Sequence, residues 1–131
     1  MARVPASLVD LPSNAVRPLG SLSVETLRAW THAAQHHFVH VSLHGVRERR
    51  LILVEIGHAL ELPSWFGANL DALYDSLTDL PERIGAPGYV IVLDGLLHGA
   101  ETDENAALLD VFRDAAEDFA SRGVAFRVFY R

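Results

Sequence analysis

Residues 62–80 read LPSWFGANLDALYDSLTDL, and the second half of this stretch has the apolar spacing of an amphipathic helix. On a helical wheel at about 100° per residue, the apolar side chains share one arc: Leu70, Leu73, Tyr74, Leu77 and Leu80. Asp71, Asp75 and Asp79 follow one another at i,i+4 steps on another side. The spacing predicts a helix over 69–80 that packs on a core and exposes a stripe of carboxylates.

Folding alone does not favour this acidic stripe. Like charges at i,i+4 spacing destabilise a helix by about 0.2–0.5 kcal/mol per pair. Asp79 also lies near the negative end of the helix dipole, and only Asp71, close to the helix N-terminus, gains from that dipole. The stripe is therefore either an ordinary solvated face or a surface for a cationic partner, and this helix alone leaves both interpretations open.

Two aromatic residues stand in a turn directly before the helix. Trp65 and Phe66 follow Pro63-Ser64 and precede Gly67, which can adopt a positive φ and turn the chain sharply. Asn69 is then the expected N-cap of the helix. Aromatic side chains beside charges are typical of binding hot spots. The same rings could instead close the core, so the turn is a candidate contact site with both alternatives open.

Outside this stretch, helical and strand patterns alternate along the chain. Helices are predicted over 23–37, 47–60 and 102–121, and strands over 38–44, 89–93 and 125–130. The strand YVIVL at 89–93 is apolar throughout, as expected for a strand that is buried on both faces. Three strands joined by helical crossovers predict an α/β fold with a small three-stranded parallel sheet covered by helices. We expect the strand over 38–43 in the middle of that sheet.

The chain length and the positions of proline indicate the domain organisation. A chain of 131 residues suits one domain with one core. Residues 1–22 contain Pro5, Pro12, Pro18 and Gly20, which predict a poorly ordered arm. The domain is therefore expected over 23–131, with the helix over 23–37 as an additional N-terminal element.

Composition excludes several classes of protein. The chain has no cysteine, which excludes disulfides and thiolate metal sites. No apolar run approaches the roughly 20 residues of a membrane-spanning helix, and the first residues lack the apolar core of a signal peptide. Together with the absence of cysteine, these features predict a cytoplasmic protein.

Negative charge is concentrated in the middle of the chain. The formal net charge is -6, and between residues 61 and 118 thirteen acidic residues stand against two basic ones, Arg83 and Arg113. A field of this sign repels nucleic acid and attracts a basic partner. The charge distribution therefore favours binding of a basic protein over binding of nucleic acid or a membrane.

The stretch over 62–77 resembles the signature of barstar-family ribonuclease inhibitors, in which Leu-Pro precedes two aromatic residues, Gly, any residue and NLDALWD. The likeness continues through the strand at 89–93 and VFRD at 111–114, and covers about 38–131. It implies a barstar-like fold, no catalytic activity and no cofactor. It further implies that the partner is a basic, guanyl-preferring ribonuclease of the barnase type, with a monomeric inhibitor favoured.

The resemblance also implies roles for single residues. Asp75 would be the central carboxylate, lying where a substrate phosphate would lie, and Asp71 would be the second anchor. Trp65 would stack on the catalytic histidine of the nuclease. The implied partner-binding residues are Trp65, Phe66, Gly67, Asn69, Asp71, Tyr74, Asp75 and Asp114.

This sequence departs from the family pattern at several of these positions. Trp65-Phe66 replaces the more common Tyr-Tyr, which removes the hydrogen bonds of two hydroxyl groups. Asp114 replaces a Glu on the later helix that would contact an Arg or Lys at the rim of the partner, and Tyr74 stands where Trp is usual. A barstar-fold binding module or immunity protein for a different toxin or host protein is therefore the main alternative.

Catalytic and metal sites find less support in the sequence. Asp71 and Asp75 could approach the carboxyl separation of about 5–5.5 Å found in retaining glycosidases, but such pairs normally flank a cleft from different elements. If His40 and His44 share one strand, they lie roughly 13 Å apart, which is too far to share a metal ion. His36 and His37 add to the cluster of histidines along this stretch, and His58 and His98 have no partners at a fixed spacing.

Overall fold

The computed structural model of the protein describes residues 4–63, 68–96 and 103–131, apart from the side chains of Asp103 and Glu104. A short 3₁₀ turn at Leu8–Asp10 comes first. The other elements, in chain order, are β1 (Ala15–Pro18), α1 (Val24–Ala33), β2 (His37–Ser42), α2 (Arg49–Ala59), α3 (Leu70–Thr78), α4 (Leu80–Arg83), β3 (Gly88–Asp94), α5 (Asp103–Ser121) and β4 (Ala125–Tyr130). The predicted α/β class is confirmed. No helix among these residues is both long and apolar enough to cross a bilayer.

Within the described ranges, four strands form one parallel sheet in the order β1-β4-β3-β2. The prediction of three strands is therefore wrong. The strand that it missed is β1, which pairs with β4 from Ala15 opposite Arg127 to Pro18 opposite Tyr130. β1 is four residues long, AVRP, so neither an alternating nor a continuous apolar pattern marks it. Its proline is tolerated because β1 lies at an edge of the sheet.

The strand order also corrects the predicted centre of the sheet. We expect the strand over 38–43 in the middle, but its counterpart β2 lies at an edge, and β4 and β3 lie inside. All seven residues of β3 are buried, which suits a strand with neighbours on both sides and helices on both faces. Towards its end β2 alternates buried and exposed side chains, because Val39 and Val41 face the larger core and His40 and Ser42 point to the other, exposed side.

Helices cover both faces of the sheet. One face, which includes Tyr89, Ile91 and Leu93 of β3, packs against α2, α3 and α5 in the larger core. The opposite face, with Val90 and Val92, packs against α1 and the N-terminal residues in a second, smaller core. Because successive side chains of β3 point to opposite faces of the sheet, this strand contributes residues to two separate cores.

Apolar residues of the N-terminal segment belong to this second core. Leu8 and Leu19 are each only 2% exposed. The side-chain amide of Asn14 donates to the backbone carbonyl oxygens of Ala116 on α5, at 3.1 Å, and of Val124 directly before β4, at 2.9 Å. The prediction of a poorly ordered arm over 1–22 is therefore wrong for this part of the chain. Proline and glycine mark breaks in regular structure, but they do not reveal whether the apolar residues between them pack.

The helix boundaries follow local signals. At the start of α1 the hydroxyl of Ser23 accepts the backbone N–H of Thr26 at 3.0 Å, as expected of an N-cap. The helix predicted over 69–80 ends earlier and is followed by α4. Pro81 lies in the first turn of α4, where a missing N–H loses no hydrogen bond.

Candidate functional site

Helix α3 is held by its apolar side and carries carboxylates on the other side. Leu73 and Leu77 are fully buried in the larger core, where α3 packs beside α5. Asn69 fixes the first turn, because its Oδ1 accepts the backbone N–H of Ala72 at 2.8 Å. The predicted amphipathic helix and its N-cap are thereby confirmed.

A surface hollow of about 800 Å³ lies between α3 and α5. Four residues that the sequence predicts for partner binding meet there, with Asp71, Tyr74 and Asp75 on α3 and Asp114 on α5. The lining residues are Leu70, Asp71, Tyr74, Asp75, Val111, Asp114, Glu117 and Asp118. The packing of the two helices therefore gathers carboxylates from distant parts of the chain on one surface.

The hollow combines an apolar floor with charged walls. Leu70, Tyr74 and Val111 are half-buried and pack against the larger core. Four exposed carboxylates stand around them: Asp71, Asp75, Asp114 and Glu117. An apolar floor suits the hydrocarbon stem of an Arg or Lys side chain, while the carboxylates can accept charge-assisted hydrogen bonds from its charged end.

Within the described residues, none of these four carboxylates forms an ion pair or a side-chain hydrogen bond. The nearest basic residue along α5, Arg113, is occupied with Asp110, whose Oδ1 lies 2.9 Å from Arg113 Nη1. Repulsion of about 0.2–0.5 kcal/mol acts on an i,i+4 pair such as Asp71 and Asp75. The site therefore opposes folding slightly, and cations supplied by another molecule would relieve that repulsion.

The third aspartate of the predicted stripe, Asp79, does not line the hollow. It caps the C-terminus of α3, and its N–H donates to the carbonyl oxygen of Asp75 at 3.1 Å. Glu117 and Asp118 of α5 line the hollow instead, and neither residue is among those predicted from the sequence. Their spacing of three and four residues from Asp114 was an available signal, because such positions share a helix face.

The turn before α3 cannot be compared with its prediction. Trp65, Phe66 and Gly67 lie outside the described residues. Their contact with a partner therefore stays a prediction, as does any contact of Asn69 beyond its capping role. The residues on either side, Pro63 and Ala68, both border a smaller hollow of about 200 Å³ beside α2.

A second polar cluster lies at the carboxyl ends of β2, β3 and β4. The buried carboxylate of Asp94 meets His40 Nε2 at 2.9 Å and His44 Nε2 at 3.2 Å. Arg131 Nε lies 2.7 Å from the same carboxylate. The hydrogen bond from Arg131, and then that from His40, hold the pKa of Asp94 well below its usual value, although burial opposes them.

The two histidines are closer than the sequence suggests. The expected separation of His40 and His44 assumes one continuous strand, but β2 ends at Ser42 and His44 lies in the turn that follows. Both imidazoles can therefore reach Asp94. In the parts of the chain that the structure describes, no group of three or more His, Asp or Glu side chains could hold a metal ion.

A comparison with known protein families gives a match that includes both helices of the hollow. A family model described as Barstar (barnase inhibitor) matches residues 36–131. The chain belongs to the barstar family. Barstar-family proteins are inhibitors rather than enzymes, and they bind ribonucleases. A search of curated proteins found no match.

The barstar match covers the part of the fold that carries the hollow. It includes α3 and α5, and it starts directly before β2. β1 and α1 precede the matched residues, so the fourth strand and the cover of the second core lie outside the barstar region. The additional N-terminal residues therefore extend the sheet beyond β4.

Proposed function

We propose that this barstar-family protein inhibits a basic, guanyl-preferring ribonuclease by seating the hollow between α3 and α5 over the nuclease active site. The observation that carries the proposal is the set of four exposed carboxylates that have no ion-pair partner among the described residues. The family supplies the class of target, and the charge of the hollow supplies the sign of the surface that it would meet.

The inhibition would work by mimicry of phosphate. A ribonuclease active site concentrates Arg, Lys and His to hold the phosphate groups of RNA, and carboxylates on a rigid helix present negative charge to the same groups. Asp75 lies in the middle of α3 and would take the central position, with Asp71 beside it. Arg–carboxylate pairs are among the stronger hydrogen-bonded contacts because both oxygens can accept. No bond in either protein is made or broken.

The charge of the hollow would act on both rates of the complex. The long-range field raises the rate of encounter with a cationic surface, and buried charge pairs slow release. The aromatic residues of the preceding turn, Trp65 and Phe66, with Gly67, would add contact area beside α3. We expect Tyr74 to lie under the partner's cationic side chains and Asp114 to contact the rim of its active site.

The test compares two aspartates of the same helix region. RNA cleavage by purified barnase is measured with increasing amounts of the parent protein, Asp75→Ala or Asp79→Ala. Loss of one partner of a buried charge pair costs about 2–5 kcal/mol, a magnitude that comes partly from barnase–barstar complexes themselves. This corresponds to roughly 30-fold to 4,000-fold weaker inhibition by Asp75→Ala.

Asp79→Ala is the control, because it removes the same charge from an exposed residue that does not line the hollow. Equal inhibition by the parent and Asp75→Ala would exclude the carboxylate mechanism. A parent protein that leaves barnase fully active would favour the alternative, a barstar-fold binding module or immunity protein for a different toxin or host protein. The replacement of Glu by the shorter Asp114 is the observation that keeps this alternative in view.

A further inference from the structure

Arg122 ties three elements together at one end of the hollow. Its Nη2 lies 2.9 Å from the carboxylate of Asp118 on α5 and donates to the carbonyl oxygen of Thr78 at 2.7 Å. Its Nη1 lies 3.8 Å from Glu82 on α4. The guanidinium also stacks over the ring of Phe119, 4.8 Å from its centre. A single side chain thus spans the C-terminus of α3, α4 and the last turns of α5.

This arrangement divides the carboxylates of the hollow into two groups. Among the described residues that line it, Asp118 is the carboxylate with an internal counter-charge, whereas Asp71, Asp75, Asp114 and Glu117 have none. A cation from a partner could pair fully with Asp118 only by displacing Arg122. The part of the hollow that carries uncompensated negative charge therefore ends before Asp118, although Asp118 lines the hollow.

Several contacts oppose that displacement. Two-thirds of the Arg122 side chain is buried, and the ring of Phe119 covers one face of the guanidinium. The carbonyl of Thr78 belongs to the last turn of α3, where the helix dipole favours a cation. Because one guanidinium makes all of these contacts, its removal from Asp118 would also cost its hydrogen bond to Thr78 and its contact with Glu82.

We propose that Arg122 sets the limit of the partner-binding surface by neutralising Asp118. This inference rests on the proposed function and adds a statement about specificity. The favoured partner has its cationic groups opposite the N-terminal and central parts of α3 and a neutral group opposite Arg122. A basic protein with a further cation at that end is disfavoured, because it would meet the guanidinium.

A double-mutant cycle on Asp118 and Arg122 tests the proposal, with barnase as the binding probe. Asp118→Asn should weaken binding no more than about two- to fivefold, because it leaves Arg122 without its counter-charge, whereas Asp114→Asn should weaken binding by about tenfold or more. Arg122→Gln should raise the association rate about two- to fivefold at 0.01 M salt, where the screening length is about 30 Å. The gain should vanish in the double variant, because Asp118 is then no longer available.

Arg28→Gln is the matched control for charge. Arg28 also pairs with a carboxylate, Glu25 at 3.7 Å, and also lies over an aromatic ring, that of Phe38 at 4.7 Å, but it belongs to α1 on the other face of the sheet. It should leave the association rate nearly unchanged. Arg122→Lys keeps the cation, so it should behave like the parent in binding. If Arg122→Gln proves too unstable to measure, the comparison of Asp118→Asn with Asp114→Asn still tests the inference.

The outcomes separate this inference from the proposed function. If Asp118→Asn weakens binding as much as Asp114→Asn, or if Arg122→Gln slows association while its melting curve stays cooperative, the inference is wrong. If barnase does not bind the parent, the proposed function fails, and the same cycle is measured with a hexa-arginine peptide. A gain from Arg122→Gln that requires Asp118 then supports the inference by itself, and the absence of a gain overturns it.

Discussion

Leu8 and Val9 are adjacent in the 3₁₀ turn, but they face opposite surroundings. Leu8 is 2% exposed in the second core, whereas Val9 is 80% exposed. Replacing a buried Leu by Ala removes its transfer energy and leaves a cavity, which costs about 2–5 kcal/mol in a rigid core. We expect Leu8→Ala to lose about 2–4 kcal/mol, because a 3₁₀ turn of only three residues can shift and partly close the cavity. The exposed Val9→Ala should stay within about 0.5 kcal/mol.

The assay for this pair is thermal unfolding followed by circular dichroism, with urea unfolding as a second measurement. For a chain of this size about 1 kcal/mol shifts Tm by roughly 3–4 °C. Leu8→Ala should therefore melt about 6–16 °C below the parent, and Val9→Ala about 2 °C or less below it. If the two variants melt within about 2 °C of each other, the N-terminal residues do not pack on the sheet, and the second core as described here is wrong.

Three further predictions concern residues of the hollow and of the sheet. Asp75→Ala should melt at or slightly above the Tm of the parent, because repulsion of about 0.2–0.5 kcal/mol per pair is relieved; a clear loss of Tm would make Asp75 a structural residue. Burial, and then the nearby Arg127, lower the pKa of His36 in the folded protein. The unfolded state consequently binds more protons below about pH 6.5, and stability should fall as the pH drops through that range. His36→Gln should reduce this pH dependence in urea unfolding, and an unchanged slope would contradict the assignment. Gly88→Ala should destabilise the fold by about 1–3 kcal/mol, since its Cβ would lie 2.5 Å from the His36 ring and 3.0 Å from Ala125 Cβ; a Tm equal to that of the parent would show that the strand yields there.

The acidic helix shows what a local pattern can predict. The apolar arc containing Leu73 and Leu77 fixes which side of α3 is buried, and this also fixes that Asp71 and Asp75 point outward. The N-cap follows from Asn69 in the same way, since capping is decided within one helical turn. These features depend on neighbours along the chain, so sequence analysis recovers them.

Features that depend on distant partners were missed. β1 exists because β4 has a free edge, and no pattern within AVRP records that edge. The neutralisation of Asp118 depends on Arg122 and on the position at which α3 ends, so the count of acidic residues overstates the charge offered by the hollow. Likewise, His40 and His44 meet at Asp94 only because the chain turns after β2.

The pairing of β1 with β4 in the sheet affects how the protein folds during synthesis. The side chain of Asn14 bonds to the carbonyl of Val124, 110 residues later, and the β1 pairing spans a comparable distance. On the ribosome, β1 emerges first and has no partner until β4 follows, long after the rest of the sheet. Contacts of such sequence separation form slowly.

Until β4 pairs with β1, the second face of the sheet is incompletely covered. Val90 and Val92 of β3 and Phe129 of β4 would then lack the cover of Leu8 and Leu19 beside an unpaired strand edge, a combination that promotes association between incompletely folded chains. The short N-terminal strand therefore acts as a late closure for the sheet. Its proline, which cannot donate a backbone hydrogen bond, limits further strand addition at the outer edge that results.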